Sequence, residues 1–393
     1  MWRTWRCPHK RDISNTRANF VCISMFIKKL ILKNFRNYAR LSAELSPNMN
    51  FIIGDNGTGK TNILEAISVA ANLKSFRGVH DTDIVLWGEQ SYFCHVDLDD
   101  TRYAEFEIGC AIINGKVKKR AKIDGVEVRK ASDYFGRLLT VIFSPGDIAI
   151  ITGAPEIRRK FIDGVISRID VSYLDHLQNF KRILVSRNRV LKSLQDGKSF
   201  SHDELFVWDS MYADICSILI GERIKFIRSF YPVFYDAYAR IADGERPPGI
   251  QYLNNTRETD SSAIMKQLVV NRKNDIATGS TGMGPQRDDY VFADEHGRVF
   301  NNYASQGQKR TAAIALKNAE AEIIETKRQD KVILMVDDIF SELDSKRRKC
   351  MIEILKGKRQ VIFTMANTLS LDSTGFEADK RFIIQTSGQL REV

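Results

Sequence analysis

Eight consecutive residues offer the clearest chemistry in the chain. Gly54-Asp55-Asn56-Gly57-Thr58-Gly59-Lys60-Thr61 fits GxxxxGK[ST], the pattern of a loop that wraps a triphosphate. Its glycines lack the Cβ atoms that would hold phosphates away. The backbone N–H groups of the loop and of a following helix N-terminus supply positive potential. Lys60 is expected to reach the β- and γ-phosphates, and the Thr61 hydroxyl to ligate Mg²⁺. Asp55, Asn56, Thr58 and Asn62 complete the cradle. A chance match is the bland alternative. It loses to context, because an apolar run precedes the loop and a helical pattern follows it.

A second chemical segment lies far downstream. Lys331–Asp338 is an apolar strand ending in two carboxylates, the arrangement that holds Mg²⁺ beside a phosphate loop. Asp337 is the expected Mg²⁺ residue, and Asp338 the group that orients or activates the attacking water. An edge strand followed by an acidic turn would read the same in isolation. The interval from Lys60 to Asp337 exceeds what a GTPase or a small kinase places between its two motifs, so a large insertion must separate them. Ser305-Gln306-Gly307-Gln308 opens a helix just upstream. Alone, Ser305 could be no more than an N-cap. Sharing a chain with the other two motifs, it reads as an anion-binding turn that presents its hydroxyl and backbone amides. In ABC-type ATPases such a turn meets the γ-phosphate held by the other subunit's loop, and Ser341-Glu342-Leu343-Asp344 stands where the loop crossing between the two sites belongs.

The elements that must position these groups are legible as patterns. Phe26–Phe35 and Ala39–Leu45 predict strands around a polar turn, Met49–Ile53 a buried strand, and Asn62–Asn72 a helix. Residues 92–129 alternate and carry Asn114-Gly115 and Asp124-Gly125, strong hairpin signals that predict an antiparallel sheet. Arg137–Phe143 predicts one more strand. Pro155–Ala242 has helical texture without a sustained heptad, Arg246–Asp260 reads as a loop or edge segment, and Ile264–Asn274 as a short helix. Strands are expected again at Tyr290–Phe292, Val332–Val336 and Gln360–Thr364. The expected fold is α/β with a mixed β-sheet core and an inserted helical arm, and the likeness of its motifs to those of ABC-type ATPases implies an ABC/SMC-like P-loop ATPase head. The domains are 1–24, a basic extension outside the fold; 25–150, a core lobe; 151–270, the arm; and 271–393, the completion of the core.

Composition narrows the function classes. The chain has 393 residues, 43% hydrophobic and 27% charged, with a formal net charge of +10. That is too apolar for disorder, and it leans toward a polyanionic partner. No run of 18 apolar residues suggests a membrane span. The six cysteines are scattered without metal-ligand spacing, as in a reducing compartment. Met1–Ser24 holds Arg3, Arg6, Lys10, Arg11 and Arg17 against Asp12 and lacks apolar periodicity, so Met25 is an alternative start.

From Met25 to about Gly388 the chain resembles the RecF family, bacterial recombination mediators related to SMC-type ATPase heads. The matching stretches include Asn34-Phe35-Arg36-Asn37-Tyr38, Gly54–Asn62 with Ile63-Leu64-Glu65-Ala66, Ser75-Phe76-Arg77, Phe143-Ser144-Pro145, Arg158–Asp163, Gly284-Pro285-Gln286-Arg287-Asp288-Asp289, Ser305–Arg310 and Val336–Asp344. The Gly-Pro-x-Arg-Asp-Asp stretch is the most specific. The family carries His where Gln286 stands and an acid at Gly146, and ABC proteins carry a switch His where Thr364 stands. The resemblance implies ATP and Mg²⁺ as ligands and places Arg36, Ser305, Gly307, Gln308 and Asp344 at the nucleotide. It implies an ATP-dependent homodimer in the cytoplasm that binds double-stranded and gapped DNA. Its partners would be RecR and, in many cases, RecO, which help to load RecA. Asp338, shorter than the Glu common in ABC ATPases, implies slow hydrolysis suited to a timer, stimulated by DNA.

Candidates for DNA contact come from charge alone. Lys116, Lys118, Lys119, Arg120 and Lys122 crowd one hairpin, and Arg158, Arg159, Lys160, Lys181, Arg182, Arg187, Arg189 and Lys192 recur along the helical insert. Solvated strand edges and charged helix faces are the ordinary alternatives. Rival functions are another SMC-like ATPase of the phage-defence type and the nucleotide-binding subunit of a membrane transporter. Co-purification with RecR or with a permease separates them.

Overall fold

Alternating residues near the N-terminal side build one antiparallel sheet. Phe26–Phe35 (β1) and Tyr38–Glu44 (β2) form a hairpin, and Met49–Ile53 (β3) leaves for a second sheet. Ser91–Asp99 (β4), Glu105–Ile113 (β5), Lys116–Ile123 (β6) and Val126–Glu127 (β7) complete the first, in the order β2-β1-β4-β5-β6-β7. Both Xaa-Gly pairs are hairpin turns, with φ of 51° at Asn114 and at Asp124, the backbone that two-residue connections prefer. One face is apolar and buried through Leu30, Leu32, Cys94, Val96, Phe106 and Ile108. The structure, a computed structural model, describes residues 25–197, 202–242, 244–355, 359–366, 379–384 and 389–393, and the basic stretch 1–24 lies outside them.

The second sheet gathers distant segments. Thr140–Phe143 (β8) joins it early. Gly249–Leu253 (β9) and Asp289–Ala293 (β10) pair with each other as a separate ribbon, so the segment expected as loop or edge is an edge. Ile333–Asp337 (β11), Val361–Met365 (β12), Lys380–Ile384 (β13) and Leu390–Glu392 (β14) follow. The order is β14-β13-β3-β12-β11-β8, parallel except for the pair β13–β14. Every residue of β11 and β12 is buried, as parallel strands covered on both faces require. Between the sheets runs the helix Lys60–Asn72, which touches β1, β4 and β5 on one side and β11 and β12 on the other. It is apolar nearly all round for that reason.

Four long helices, Pro155–Ile169, Val171–Gln195, His202–Ile241 and Ser261–Thr278, make up the helical texture of the middle of the chain. The helix His202–Ile241 packs along the helix Gln306–Arg328, which ties this layer to the core. Buried ion pairs fasten it further. Arg223 forks onto Asp163 (2.9 and 3.0 Å) and reaches Asp288 at 2.8 Å. Arg187 corrects one expectation. It is fully buried and donates to Asp209 and Asp275, each at 2.8 Å, so it clamps helices together and cannot share an exposed cationic face. No helix among the described residues is long and apolar enough to cross a membrane.

Candidate functional site

The cradle forms where β3 ends. Gly57 and Gly59 have φ of 85° and 106°, left-handed backbone that turns the strand into the helix within a few residues. Gly59 has a second reason to lack a side chain. A Cβ there would lie 2.5 Å from Asn37 Nδ2 in the β1–β2 turn. Asn37 Nδ2 donates to the Thr58 carbonyl at 2.9 Å, Asn37 Oδ1 accepts from Asn62 Nδ2 at 2.8 Å, and the Tyr38 hydroxyl donates to the Gly59 carbonyl at 3.1 Å. The Asn-Phe-Arg-Asn-Tyr turn is therefore the scaffold of the loop. Lys60 is buried and donates to the carbonyls of Gly54 (2.6 Å) and Asp55 (2.8 Å). Burial pulls its ammonium below the ordinary value, while the nearby carboxylates of Asp338, Asp337 and Asp55 oppose that shift.

Sheet order brings the metal groups together. β12 separates β3 from β11 and sets Thr364 opposite Asp337. Asp337 Oδ1 accepts from the Thr61 hydroxyl at 2.7 Å and from the Thr364 hydroxyl at 2.8 Å. A carboxylate and a hydroxyl in contact at the mouth of a phosphate loop form an all-oxygen donor set. That set suits Mg²⁺, which takes one or two protein oxygens and completes its shell with phosphates and water. Thr364 thus holds the carboxylate in place. Asp338 has φ of 46° and starts a one-turn helix, so its side chain leaves the strand on a different course from that of Asp337.

Arg36, which the family likeness places at the nucleotide, is tied here to the helix that follows the loop. It donates to Glu65 at 2.7 and 2.8 Å and to the Asp83 carbonyl at 2.6 Å, and Glu65 is fully buried and also accepts from Ser75 at 2.5 Å. The ion pair anchors the β1–β2 turn to the loop helix. Sequence patterns missed Glu65, Asn37 and Thr364 as site residues, although the first two lie inside stretches that looked family-specific. A cleft beside Asp337 is lined by Ser144, Pro145, Asp147, Arg168, Lys317 and Glu320. Glu320 pairs with both Arg168 and Lys317. Burial pushes the Asp147 carboxyl up to about 6, against Lys317 and the Ser144 amide that it accepts at 2.7 Å.

The helix Gln306–Arg328 is buried along most of its body, but Ser305 and Gln306 at its start are exposed. Ser305 Oγ accepts from the Gln308 amide at 3.2 Å, and Gln308 Oε1 accepts from the Ser305 amide at 2.9 Å. This capping box leaves the Ser305 hydroxyl proton able to donate outward.

Comparison with known proteins fits this geometry. The RecF/RecN/SMC N terminal domain family matches residues 26–381. The DNA replication and repair protein RecF of Lachnoclostridium phytofermentans is 37% identical over 340 residues, 86% of this chain and 92% of that protein. The chain belongs to the RecF family. A solved structure of the recombination mediator protein RecF with ATP in the RecFOR pathway superposes with a TM-score of 0.86 at 29% identity, covering 96% of this chain and 100% of the other. The Smc head domain of Pyrococcus furiosus, bound to the C-terminal domain of ScpA, shares the fold at 17% identity, with a TM-score of 0.53 over 94% of this chain and 96% of that one. The architecture is accordingly that of an ABC/SMC-like ATPase head.

The RecF-like motif Gly284–Asp289 turns out to work inside the fold. Asp288 holds Arg223, Asp289 takes a two-pronged bond from Arg158 (2.8 and 2.9 Å), and Gln286 accepts from Tyr212 at 2.8 Å. Arg159 donates to the Asp288 carbonyl at 2.6 Å. In the cationic hairpin, Lys119 points the other way from its neighbours, toward Asp81 (2.5 Å) and the Leu73 carbonyl. Lys116, Lys118 and Arg120 share the exposed face of β6, and Lys181 and Arg182 are exposed on the helix Val171–Gln195.

Proposed function

We propose that this chain is an ATP-switched DNA-binding protein of recombinational repair, active as a homodimer closed over two ATP molecules. The observation that carries the reading is the contact of Thr61 with Asp337, which sets a Mg²⁺ donor pair against the Gly54–Thr61 cradle. Gly54, Asp55, Asn56, Gly57, Thr58, Gly59, Lys60 and Asn62 would bind the phosphates. Thr61 and Asp337 would hold Mg²⁺, which when bound neutralises charge on the β- and γ-phosphates. Asp338 would orient water for slow hydrolysis. Ser305, Gly307 and Gln308 would meet the nucleotide of the other copy, because their helix end is exposed and directs its positive dipole outward. Arg36 would act by fixing the loop, and Asp344 by crossing between the sites. The relatives named RecF support ATP as the nucleotide and the RecFOR pathway as the setting, hence RecR and RecO as partners, RecA loading as the outcome, and double-stranded and gapped DNA as the substrate.

Lys116, Lys118, Arg120, Lys181 and Arg182 are the cations best placed for DNA phosphates. Lys119, Arg158 and Arg159 are engaged within the fold and would contribute less. Phosphate-dominated binding would be steeply salt-dependent and nearly indifferent to sequence. Sedimentation with and without ATP, on gapped and intact DNA, tests the whole reading. ATP-dependent dimers that Lys60→Ala abolishes by removing ATP binding, and Ser305→Arg abolishes while sparing it, are the expected result. Monomers at saturating ATP and DNA overturn it.

A further inference from the structure

The first turn of the helix Gln306–Arg328 is held from two sides by groups outside that helix. Gln308 Nε2 donates to Glu245 at 3.2 Å. Opposite, the Arg347 guanidinium lies against Gly307, where a Cβ would sit 3.2 Å from Nη1 and 3.4 Å from Nη2. The same guanidinium donates through Nε to Thr311 Oγ1 at 2.8 Å and through Nη1 to Asp344 Oδ2 at 2.5 Å. Thr311 in turn donates to the Gly307 carbonyl at 3.0 Å. Asp344 Oδ1 accepts the Arg347 amide at 2.8 Å, which caps the helix Ser345–Leu355. One planar cation therefore touches the Ser305–Gln308 turn, the next turn of the same helix, and the loop that leaves the Asp337-Asp338 strand. A cation beside a helix N-terminus also runs against the helix dipole, so its place there asks for a reason.

We propose that Arg347 is a positioning residue that locks the Ser305–Gln308 turn to the Asp344 loop, so that both meet a second copy as one pre-ordered surface. The inference rests on the reading of a dimer closed over ATP. Both structures would have to be correctly oriented at closure, and a fixed link removes the cost of ordering them separately. Only a guanidinium fits the role. Its fork has fixed geometry and serves Thr311 and Asp344 together, whereas a lysine ammonium is a single point on a flexible stem.

The test compares wild type, Ser305→Arg, Arg347→Ala and Arg347→Lys by ATP affinity, by sedimentation with ATP, and by steady-state hydrolysis. Arg347→Ala is expected to bind ATP within about twofold of wild type. Its ATP-driven self-association should weaken by about tenfold or more, with kcat falling and KM unchanged. Arg347→Lys should keep the charge and the fold yet recover little of the association. A wild type that stays monomeric with ATP, or a Ser305→Arg variant that dimerises, overturns the dimer reading and this inference with it. If wild type dimerises, Ser305→Arg does not, and Arg347→Ala or Arg347→Lys dimerises as wild type does, the inference alone falls. Should Arg347→Ala lose ATP binding through misfolding, Arg347→Lys decides the matter.

Discussion

Replacing Glu65 by alanine should disturb the cradle from below. Glu65 is fully buried and accepts two bonds from Arg36, at 2.7 and 2.8 Å, and one from Ser75 at 2.5 Å. Removing the carboxylate strands a guanidinium that is 18% exposed and keeps only the Asp83 carbonyl at 2.6 Å. Breaking a buried pair from one side costs about 3–5 kcal/mol. Arg36 retains one acceptor and some water, so the lower end applies, about 3 kcal/mol. With an unfolding entropy of about 2.1 cal/mol/K per residue over 393 residues, each kcal/mol moves Tm by about 1.2 °C, so Tm should fall by roughly 4 °C. Arg36 also leads the turn that carries Asn37 against Thr58, so ATP affinity should fall by about tenfold. Scanning calorimetry and titration calorimetry read the two effects. The double variant Arg36→Ala/Glu65→Ala should melt above the single one, because the guanidinium that is 18% exposed goes with its carboxylate, while the other cation on Glu65, Arg77 at 3.6 Å, is 37% exposed and can turn to water. A single variant that melts within about 2 °C of wild type, or a double variant that melts lower, refutes the reasoning.

Three other perturbations probe neighbouring contacts. Gly59→Ala places a methyl 2.5 Å from Asn37 Nδ2 at φ 106°; ATP affinity should drop by about tenfold or more, and a normal titration would speak against this close approach. Thr364→Val keeps shape but removes the donor at 2.8 Å from Asp337 Oδ1. Mg²⁺-dependent ATP binding should weaken while binding without Mg²⁺ is spared, and equal losses in both would remove Thr364 from the metal site. Asp147 holds its proton to about pH 6 when folded against 3.8 as the ordinary value, so its stabilisation is complete below 3.8 and lost as pH rises through about 6. Asp147→Asn should therefore raise Tm relative to wild type at pH 8 and match it at pH 4. A constant difference across that range contradicts the assigned shift.

Local signals were read correctly where a pattern and its cause lie within a few residues of each other. The Asn114-Gly115 and Asp124-Gly125 hairpins, the Met49–Ile53 strand and the cradle behind it are of this kind. So is the uniform burial of β11, which an unbroken apolar run announces. Groups whose roles depend on sheet order were not legible. Thr364 matters because β12 lies between β3 and β11, and no spacing along the chain reveals that. The partners of several cations were hidden for the same reason. Arg158, Arg187 and Lys119 look like surface charges in a linear pattern, yet each meets a carboxylate distant in sequence, and for Arg187 full burial turns the charge into a clamp. Arg36 was expected at the nucleotide from family likeness alone, and no spacing reveals its partner Glu65, which lies 29 residues away in the chain.

The neighbours of β3 have a consequence for biosynthesis. Residues 49–53 leave a ribosome early, but both strands that flank them, β12 and β13, begin beyond residue 360. At about 5–20 residues per second, this apolar strand waits on the order of tens of seconds for either edge to be covered. During that interval nucleotide can offer the nascent chain no stabilisation, since Asp337 and Thr364 have yet to be made. Chaperones that shield exposed strands should therefore matter more to this protein's yield in cells than the supply of ATP.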